Sequence, residues 1–299
     1  MPYIPILAII FGIIGTISLH LAKAFTRQGI DAFKIKTDVE KRRKKSVIWT
    51  IGFILNNLVT VFGILAAMFG PASLYTAVFG LGLVVLLVYA QKVLHEKITS
   101  REILGAGLII IGTLGIGIVS IFYTTESPII LYDAFFLSLW IVFPLVIGLV
   151  IVGYISKKLS LTIMLFAPMG AMISAIGANL MYVGNLGGGF HPNPVILAPI
   201  YVLGLLGGMI SFVVSQIAFA RGADASKYVP LFNSFYFITP FIYELFIFVL
   251  TPIDLIGLFL KIPFILIVLL GIYFIVGILV RTMKKPEIPK EVTEKLEEN

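Results

Sequence analysis

The stretch KRRKKSVIWTIGFILNNLVTVFGILAAM, residues 41–68, joins a cluster of basic side chains to a long run without charge. From Val47 to Met68 the run holds 22 residues, and none of them is Asp, Glu, Lys or Arg. An α-helix rises about 1.5 Å per residue, so about 20 apolar residues cross a hydrocarbon layer of about 30 Å. This stretch therefore predicts a transmembrane helix that begins beside a basic loop.

Runs of the same kind recur along the chain of 299 residues, of which 59% are hydrophobic and only 12% charged. Soluble domains carry roughly 25% charged residues. We therefore predict an all-α polytopic membrane bundle of about nine transmembrane helices. The predicted spans are residues 4–25, 47–68, 73–91, 103–123, 130–155, 162–183, 196–220, 228–250 and 262–281. Between the last two, Thr251–Lys261 is interpreted as a short interfacial helix or as part of the ninth span.

The distribution of basic residues predicts the orientation of the chain. They concentrate in alternate loops, and cytoplasmic loops carry the excess of Lys and Arg. This places the N-terminus outside, the C-terminus in the cytoplasm and the protein in the cell membrane, with an odd number of spans. The residues assigned to the cytoplasmic side are Lys23, Arg27, Lys34, Lys36, the cluster 41–45, Lys92, Lys97, Arg101, Lys157, Lys158, Arg221, Lys227, Arg281, Lys284 and Lys285; only Lys261 is assigned to the outer side.

Two junctions between spans resemble each other. GPASLYT (70–76) joins the second and third spans, and GADASKYV (222–229) joins the seventh and eighth. Five spans separate the two units, so they have opposite orientations, and inverted repeats of this kind flank a substrate site near the midplane of the bilayer. We predict a first half at 1–125 with transmembrane helices 1–4, a linking fifth helix at 126–160, a second half at 161–283 with helices 6–9, and a charged cytoplasmic tail at 284–299.

Polar side chains inside the predicted spans are the candidate binding residues, because such groups are costly in hydrocarbon. Glu244 shares a helical face with Asn233, Tyr236 and Pro240 in the eighth span. A purely structural alternative is that the Glu244 side chain reaches the outer boundary of the membrane or forms an ion pair with Lys261. The other candidates are Asn56 and Thr60 in the second span, Thr76 in the third, Asn179 in the sixth and Gln216 in the seventh. For each residue, hydrogen bonding between helices is as good an explanation as substrate contact.

Other classes of function have little support in the sequence. There is no cysteine, which excludes disulfides and thiol catalysis. His20, His95 and His191 are scattered, without the spacing of a zinc protease. The net charge of +7 is explained by anchoring charges beside the membrane rather than by nucleic acid. We expect no enzyme and no cofactor, with membrane lipid and a small-molecule or cation substrate as partners. The sequence leaves the oligomeric state open, with a homodimer among the options.

Residues 44–120 also resemble a known family. They contain KKSVIWTIGFILNN (44–57), the turn FGPASLYTAVFGLG (69–82) and the span end VLHEKITSREILGAGLIIIGTLGIG (93–117). These segments are similar to the first half of the NIPA-like magnesium transporters, which belong to the drug/metabolite transporter (EamA-like) superfamily. The outer N-terminus, the basic first loop and the nine spans are also family-like, and the resemblance implies Mg²⁺ as cargo. The predicted mechanism is alternating access between the two inverted halves. It carries over Thr76 and Gln216 as candidate site residues.

The chain departs from that family at positions that bear on the cargo. Thr60 and Gly63 stand where the family has Glu and then Asn in the second span, and Ala218 stands where it has an Asn. Mg²⁺ normally uses one or two carboxylates together with retained waters, and Glu244 is the one acidic candidate well inside a span. The sequence therefore predicts a transporter whose cargo is a divalent cation or an organic metabolite, with a non-transporting membrane scaffold as the alternative.

Overall fold

A computed structural model describes residues 5–35, 37–67, 69, 78–123, 131–156, 158–185, 194–247 and 251–284. Within these ranges the chain forms nine α-helices, two short 3₁₀ turns at Ile30–Phe33 and Val78–Gly80, and no strand. The helices are α1 (Pro5–Gly29), α2 (Val39–Ala67), α3 (Leu81–Lys92), α4 (Ser100–Phe122), α5 (Tyr132–Ile155), α6 (Leu159–Asn185), α7 (Pro194–Ala220), α8 (Ala225–Ile247) and α9 (Pro252–Lys284).

Six of these helices contain segments long and apolar enough to cross a membrane. They lie in α1, α2, α4, α6, α7 and α9, and α3 and α5 contain shorter apolar segments. The chain is thus an all-helical protein of membrane-spanning character, as its sequence predicts. The count of nine spans and the division into halves stay predictions, and residues 285–299 of the predicted tail lie outside the described ranges.

The ninth helix is longer than the predicted span. The sequence favours a short interfacial helix or part of the span at 251–261, and the structure makes 252–261 the first turns of one continuous helix, α9. Thr251 and Asp254 cap its start: the Asp254 carboxylate accepts from the Thr251 N–H at 2.9 Å, and the Thr251 hydroxyl oxygen accepts from the Asp254 N–H at 3.3 Å. Lys261, which the sequence assigned to the outer side, is consequently a helical residue and is only 7% exposed.

Helix α8 occupies the middle of the packing. It contacts α1, α3, α4, α5, α6 and α9, whereas α2 packs mainly against α1. The largest fully buried side chains include Tyr228 of α8, Phe166 of α6 and Phe219 of α7. The side chains of α8 therefore meet several helices at once, and the core of the bundle lies around its first half.

Glycines permit the closest helix crossings. At the crossing of α4 and α9, a Cβ added to Gly105 would lie 2.9 Å from the carbonyl oxygen of Gly271, and a Cβ on Gly271 would lie 2.6 Å from that of Gly105. At the crossing of α6 and α7, a Cβ on Gly177 would lie 2.6 Å from the Gly204 carbonyl oxygen. Small residues let backbones approach where both the helix and the lipid are apolar. Glycine positions therefore set these two crossings.

Polar contacts fix the helix ends at one side of the bundle. The Glu96 carboxylate, in the loop after α3, accepts from the backbone N–H groups of Ala225 and Ser226, both at 2.8 Å, at the start of α8. The Arg221 guanidinium after α7 donates to the carbonyl oxygens of Gly153 and Ser156 at the end of α5, at 3.0 and 3.1 Å. A carboxylate at a helix start and a cation at a helix end both complement the helix dipole. These contacts hold the first turn of α8 in place.

We expect the substitution Gly105→Ala to destabilise the protein by about 1–3 kcal/mol, because the added methyl group meets backbone of α9 that cannot yield easily. The matched control is Gly107→Ala in the same helix, where an added Cβ meets nothing within 4 Å. That control should be neutral or stabilising by up to about 1 kcal/mol through helix propensity. Unfolding in detergent micelles by titration with SDS measures both changes, and equal effects would contradict the proposed close crossing.

Candidate functional site

A group of buried polar side chains lies where α1, α7 and α8 meet. We call it the Lys23 cluster, and its members are His20, Lys23, Ser215, Tyr228 and Asn233. Each of these residues is at most 3% exposed. Burial of so many polar groups in an apolar bundle is costly unless they are hydrogen-bonded, so the partners of each group decide what the cluster can do.

In the part of the chain that the structure describes, the partners of Lys23 are neutral. Its ammonium donates to the hydroxyl oxygen of Ser215 at 2.7 Å and lies 4.6 Å from the centroid of the Phe232 ring, a cation–π contact. Within the described ranges, no carboxylate oxygen lies within 4.0 Å of Lys23 Nζ. Buried charges in proteins are normally paired with an opposite charge. Within the described ranges, Lys23 therefore lacks the ionic partner that a buried lysine normally has.

Ser215 is the hub of the cluster. Its oxygen accepts one hydrogen bond from Lys23 and a second from the Tyr228 hydroxyl at 3.1 Å. Its own proton is donated to the Ser211 carbonyl oxygen at 3.0 Å. A hydroxyl has one proton to donate and two lone pairs to accept, so the bonding of Ser215 is complete. Tyr228 also lies 3.3 Å from the Phe166 carbonyl oxygen of α6. The cluster thus links four helices.

The tautomer of His20 follows from its partners. Nδ1 lies 2.7 Å from the Thr16 carbonyl oxygen, which can only accept, so Nδ1 carries a proton. Nε2 lies 2.6 Å from Nδ2 of Asn233, which can only donate, so Nε2 accepts. His20 is therefore neutral in this arrangement. The amide of Asn233 is oriented by the same contact, and its Oδ1 is buried with no hydrogen-bond partner in the described part of the chain.

The structure corrects the interpretation of two residues of α1. Lys23 was assigned to the cytoplasmic loop, but it lies inside α1 and is 2% exposed. His20 was considered a scattered histidine, but it belongs to the same cluster. Thr16, His20 and Lys23 are spaced by four and three residues, which places them on one helical face. That spacing in an apolar helix was the signal available in the sequence.

Three of the predicted site residues lie in or beside the cluster. Asn233 is a member, and Tyr236 is 7% exposed and stacks on Phe232 with ring centroids 6.1 Å apart. Gln216 follows Ser215 in α7 and is half-buried. Its amide oxygen accepts from the indole N–H of Trp49 in α2 at 3.0 Å, whereas its Nε2 is buried and has no partner among the described residues. The first half of α8 and the end of α7 thus carry the polar interior that the sequence predicts.

Of the other predicted site residues, the structure describes the side chains of two, Asn56 and Thr60, and neither belongs to the cluster. Asn56 is half-buried and Thr60 is exposed on the surface of α2. Thr76 lies outside the described residues. Asn179 and Glu244 belong to α6 and α8 by their backbone, and their side chains lie outside the description. A role of these residues in binding stays a prediction.

A divalent cation does not suit the Lys23 cluster. In the described part of the chain no three His, Asp or Glu side chains come together in a way that could hold a metal ion. At a separation of about 6 Å and an effective dielectric constant near 20, the repulsion between an ammonium and a divalent ion is roughly 6 kcal/mol. When protonated, Lys23 gives the cluster one positive charge, and no described carboxylate lies within 4.0 Å of its Nζ to offset it. The electrostatics of the cluster favour an anion.

Helix α2 lies at the edge of the bundle, next to α1 and α7, which carry cluster residues. Only 6% of its membrane-spanning window is buried, and its main contacts are with α1. The bond from Trp49 to Gln216 ties α2 to α7 beside Ser215. Trp49 also contacts the rings of Phe53 and Phe212, with centroids 5.7 and 6.2 Å apart. Trp49 therefore packs on the part of α7 that carries Ser215 and Gln216.

We expect Trp49→Phe to destabilise the protein by about 1–2 kcal/mol, because the buried amide oxygen of Gln216 loses its donor. The control is Trp140→Phe in α5, whose side chain is 79% exposed, and we expect that change to stay within about 0.5 kcal/mol. Titration with SDS in detergent micelles measures both. Identical stabilities of the two variants would show that the Trp49–Gln216 bond contributes nothing.

Comparison of the chain with protein-family models, with characterised proteins and with solved structures finds no significant match. The NIPA-like resemblance of residues 44–120 is therefore a prediction that these comparisons do not support.

Proposed function

We propose that this membrane protein is a carrier that moves a small organic solute across the bilayer by alternating access. The observation that carries the proposal is the Lys23 cluster, in which a buried lysine has only neutral partners among the described residues. Ionisable residues inside membrane spans are rare and mark substrate or ion pathways. Two buried polar atoms, Oδ1 of Asn233 in the cluster and Nε2 of Gln216, the residue after Ser215, have no partner in the described part of the chain, and a bound solute would supply partners.

The burial of the cluster fits an occluded state of such a carrier. Lys23 is 2% exposed and Ser215 and His20 are fully buried, so a solute reaches them only after helices move apart. A carrier exposes its site to one side of the membrane at a time by rocking one repeat against the other. The element that we propose moves is α2, which is peripheral and packs mainly on α1.

The pairing of helices supports the proposed inverted repeat. Helix α1 packs on α2 and α3, and five helices later α6 packs on α7 and α8 in the same order. Helices α4 and α9, the last of each proposed half, pack on each other. Of the two similar junctions, only 222–229 lies within the described residues, and Gly222 there has a φ of 96°, which favours glycine. We retain the proposed orientation, with the N-terminus outside.

The charge of the cluster favours an organic metabolite over Mg²⁺ as cargo. This choice agrees with the departures of Thr60, Gly63 and Ala218 from the NIPA-like pattern. The drug/metabolite transporter superfamily remains the proposed relationship, and magnesium transport is its less favoured branch for this chain. For the cluster to favour Mg²⁺, the Glu244 carboxylate would have to outweigh the charge of Lys23. Glu244 lies twelve positions beyond Phe232 along α8.

A carrier and a sealed scaffold differ in whether water-soluble reagents reach Ser215. The chain has no cysteine, so Ser215→Cys introduces a unique thiol. In proteoliposomes we expect this thiol to react with small membrane-impermeant methanethiosulfonates, cationic or anionic, because alternating access opens the cluster to water. Labelling is measured by mass spectrometry with reagent added outside, inside or on both sides.

The matched control is Ser120→Cys in α4. Ser120 is 2% exposed and donates to the Ile116 carbonyl oxygen of its own helix at 2.9 Å, so it is as buried as Ser215 but outside the cluster. We expect labelling at 215 to be at least about tenfold faster than at 120, since local opening exposes only the transport path. Equal slow labelling at both positions would favour the scaffold and reject the carrier.

A further inference from the structure

We propose that the Lys23 cluster binds a small 2-hydroxy carboxylate, with the carboxylate on the Lys23 ammonium and the hydroxyl donating to Oδ1 of Asn233. This inference names the cargo class of the carrier proposed above and rests on that proposal. It follows from two features of the cluster, the charge of Lys23 and the unused acceptor of Asn233.

The charge of the cluster sets the charge of the ligand. Lys23 has three N–H donors, and one of them is directed to Ser215. The remaining donors can make charge-assisted hydrogen bonds to a carboxylate, which are stronger than those between neutral groups. His20 is neutral because its Nε2 accepts from Asn233. One positive charge is neutralised by one carboxylate, whereas a phosphate dianion or a dicarboxylate would leave a buried negative charge.

The unused acceptor of Asn233 sets the second functional group. Its Nδ2 is engaged by His20, so the amide cannot turn without breaking that bond, and Oδ1 is buried with no partner among the described residues. A buried acceptor without a donor is costly, and a ligand hydroxyl or N–H would satisfy it. A ligand ammonium would restore the positive charge that the carboxylate removes. A hydroxyl is therefore the better match.

The position of Asn233 relative to Lys23 makes a two-point contact feasible for a small molecule. Phe232, whose ring lies against the Lys23 ammonium, precedes Asn233 in α8. His20, which holds the Asn233 amide, lies one helical turn before Lys23 in α1. The cation and the acceptor are thus on neighbouring positions of the same two facing helices. In a 2-hydroxy carboxylate, the carboxylate that accepts and the hydroxyl that donates are likewise neighbours, on adjacent carbons.

The test compares three small molecules that differ by one group each. Lactate carries both groups, propionate lacks the hydroxyl, and lactamide lacks the charge. The full chain in detergent is titrated with each at equal ionic strength, and the shift in unfolding temperature is recorded, since a ligand that binds the folded form stabilises it. We expect saturable stabilisation by lactate, an apparent Kd about tenfold weaker for propionate, and one at least about 100-fold weaker for lactamide. Magnesium chloride should shift the unfolding temperature by no more than its ionic strength explains.

Variants assign the effect to the cluster. Lys23→Gln should abolish the response to lactate, whereas Lys44→Gln should keep it, because Lys44 is 74% exposed and pairs with Glu40 at the surface. Asn233→Leu should reduce the affinity for lactate to that for propionate and leave propionate unchanged. If Lys23→Gln does not fold, the wild-type series and Asn233→Leu still decide the proposal.

The results separate this inference from the proposed carrier. The inference is overturned if lactate and the larger 2-hydroxy carboxylate mandelate stabilise the protein no more than chloride does. It is also overturned if lactamide binds as tightly as lactate. Labelling of Ser215→Cys in the same preparation then shows whether the carrier proposal survives alone. Binding of lactate that needs Lys23, without labelling at position 215, would retain the ligand class and reject transport.

Discussion

The ammonium of Lys23 is the group on which the arrangement around the cluster depends. It lies in an apolar bundle, it is 2% exposed, and its described partners are a hydroxyl and an aromatic ring. A charge in such surroundings is tolerated only where every nearby polar group is placed to stabilise it. Ser215 is therefore fully hydrogen-bonded, Tyr228 is shared between α6 and α7, and Phe232 is held face-on. Three helices must keep their positions for these contacts to coexist.

The rest of the bundle supplies that fixed frame. Glycines bring α4 against α9 and α6 against α7 at backbone contact, and such crossings resist deformation because interiors are close-packed. Glu96 and Arg221 hold the ends of α8 and α5 by bonds to backbone groups. Helix α2 is different, since only 6% of its membrane-spanning window is buried, although it packs closely on α1. The protein thus surrounds the cluster with closely packed helices and carries one peripheral helix, α2, whose main partner is α1.

Electrostatics, rather than fold, separates the candidate cargoes. A bundle of this architecture could carry an ion or a metabolite, because folds host many functions and the site decides among them. The site here presents a buried lysine, a neutral histidine and an amide oxygen that has no donor among the described residues. A cation would be repelled by the protonated lysine, and no described carboxylate lies within 4.0 Å of Lys23 Nζ to offset that repulsion. An anion would complete the pairing that the protein itself leaves open.

The sequence by itself determined that the protein is helical and membrane-spanning, because runs of about 20 uncharged residues have few other stable structures. It also indicated Asn233, Tyr236 and Gln216 as interior groups, since a polar side chain in an apolar helix has to find partners. It misplaced Lys23, because a lysine near the end of an apolar run reads equally well as a loop anchor. Only the packing of α7 and α8 against α1 decided that Lys23 and His20 lie inside with Ser215 and Tyr228. Those contacts join residues up to 213 positions apart, and hydrophobic periodicity, which reports one helix at a time, carries no information about which helices meet.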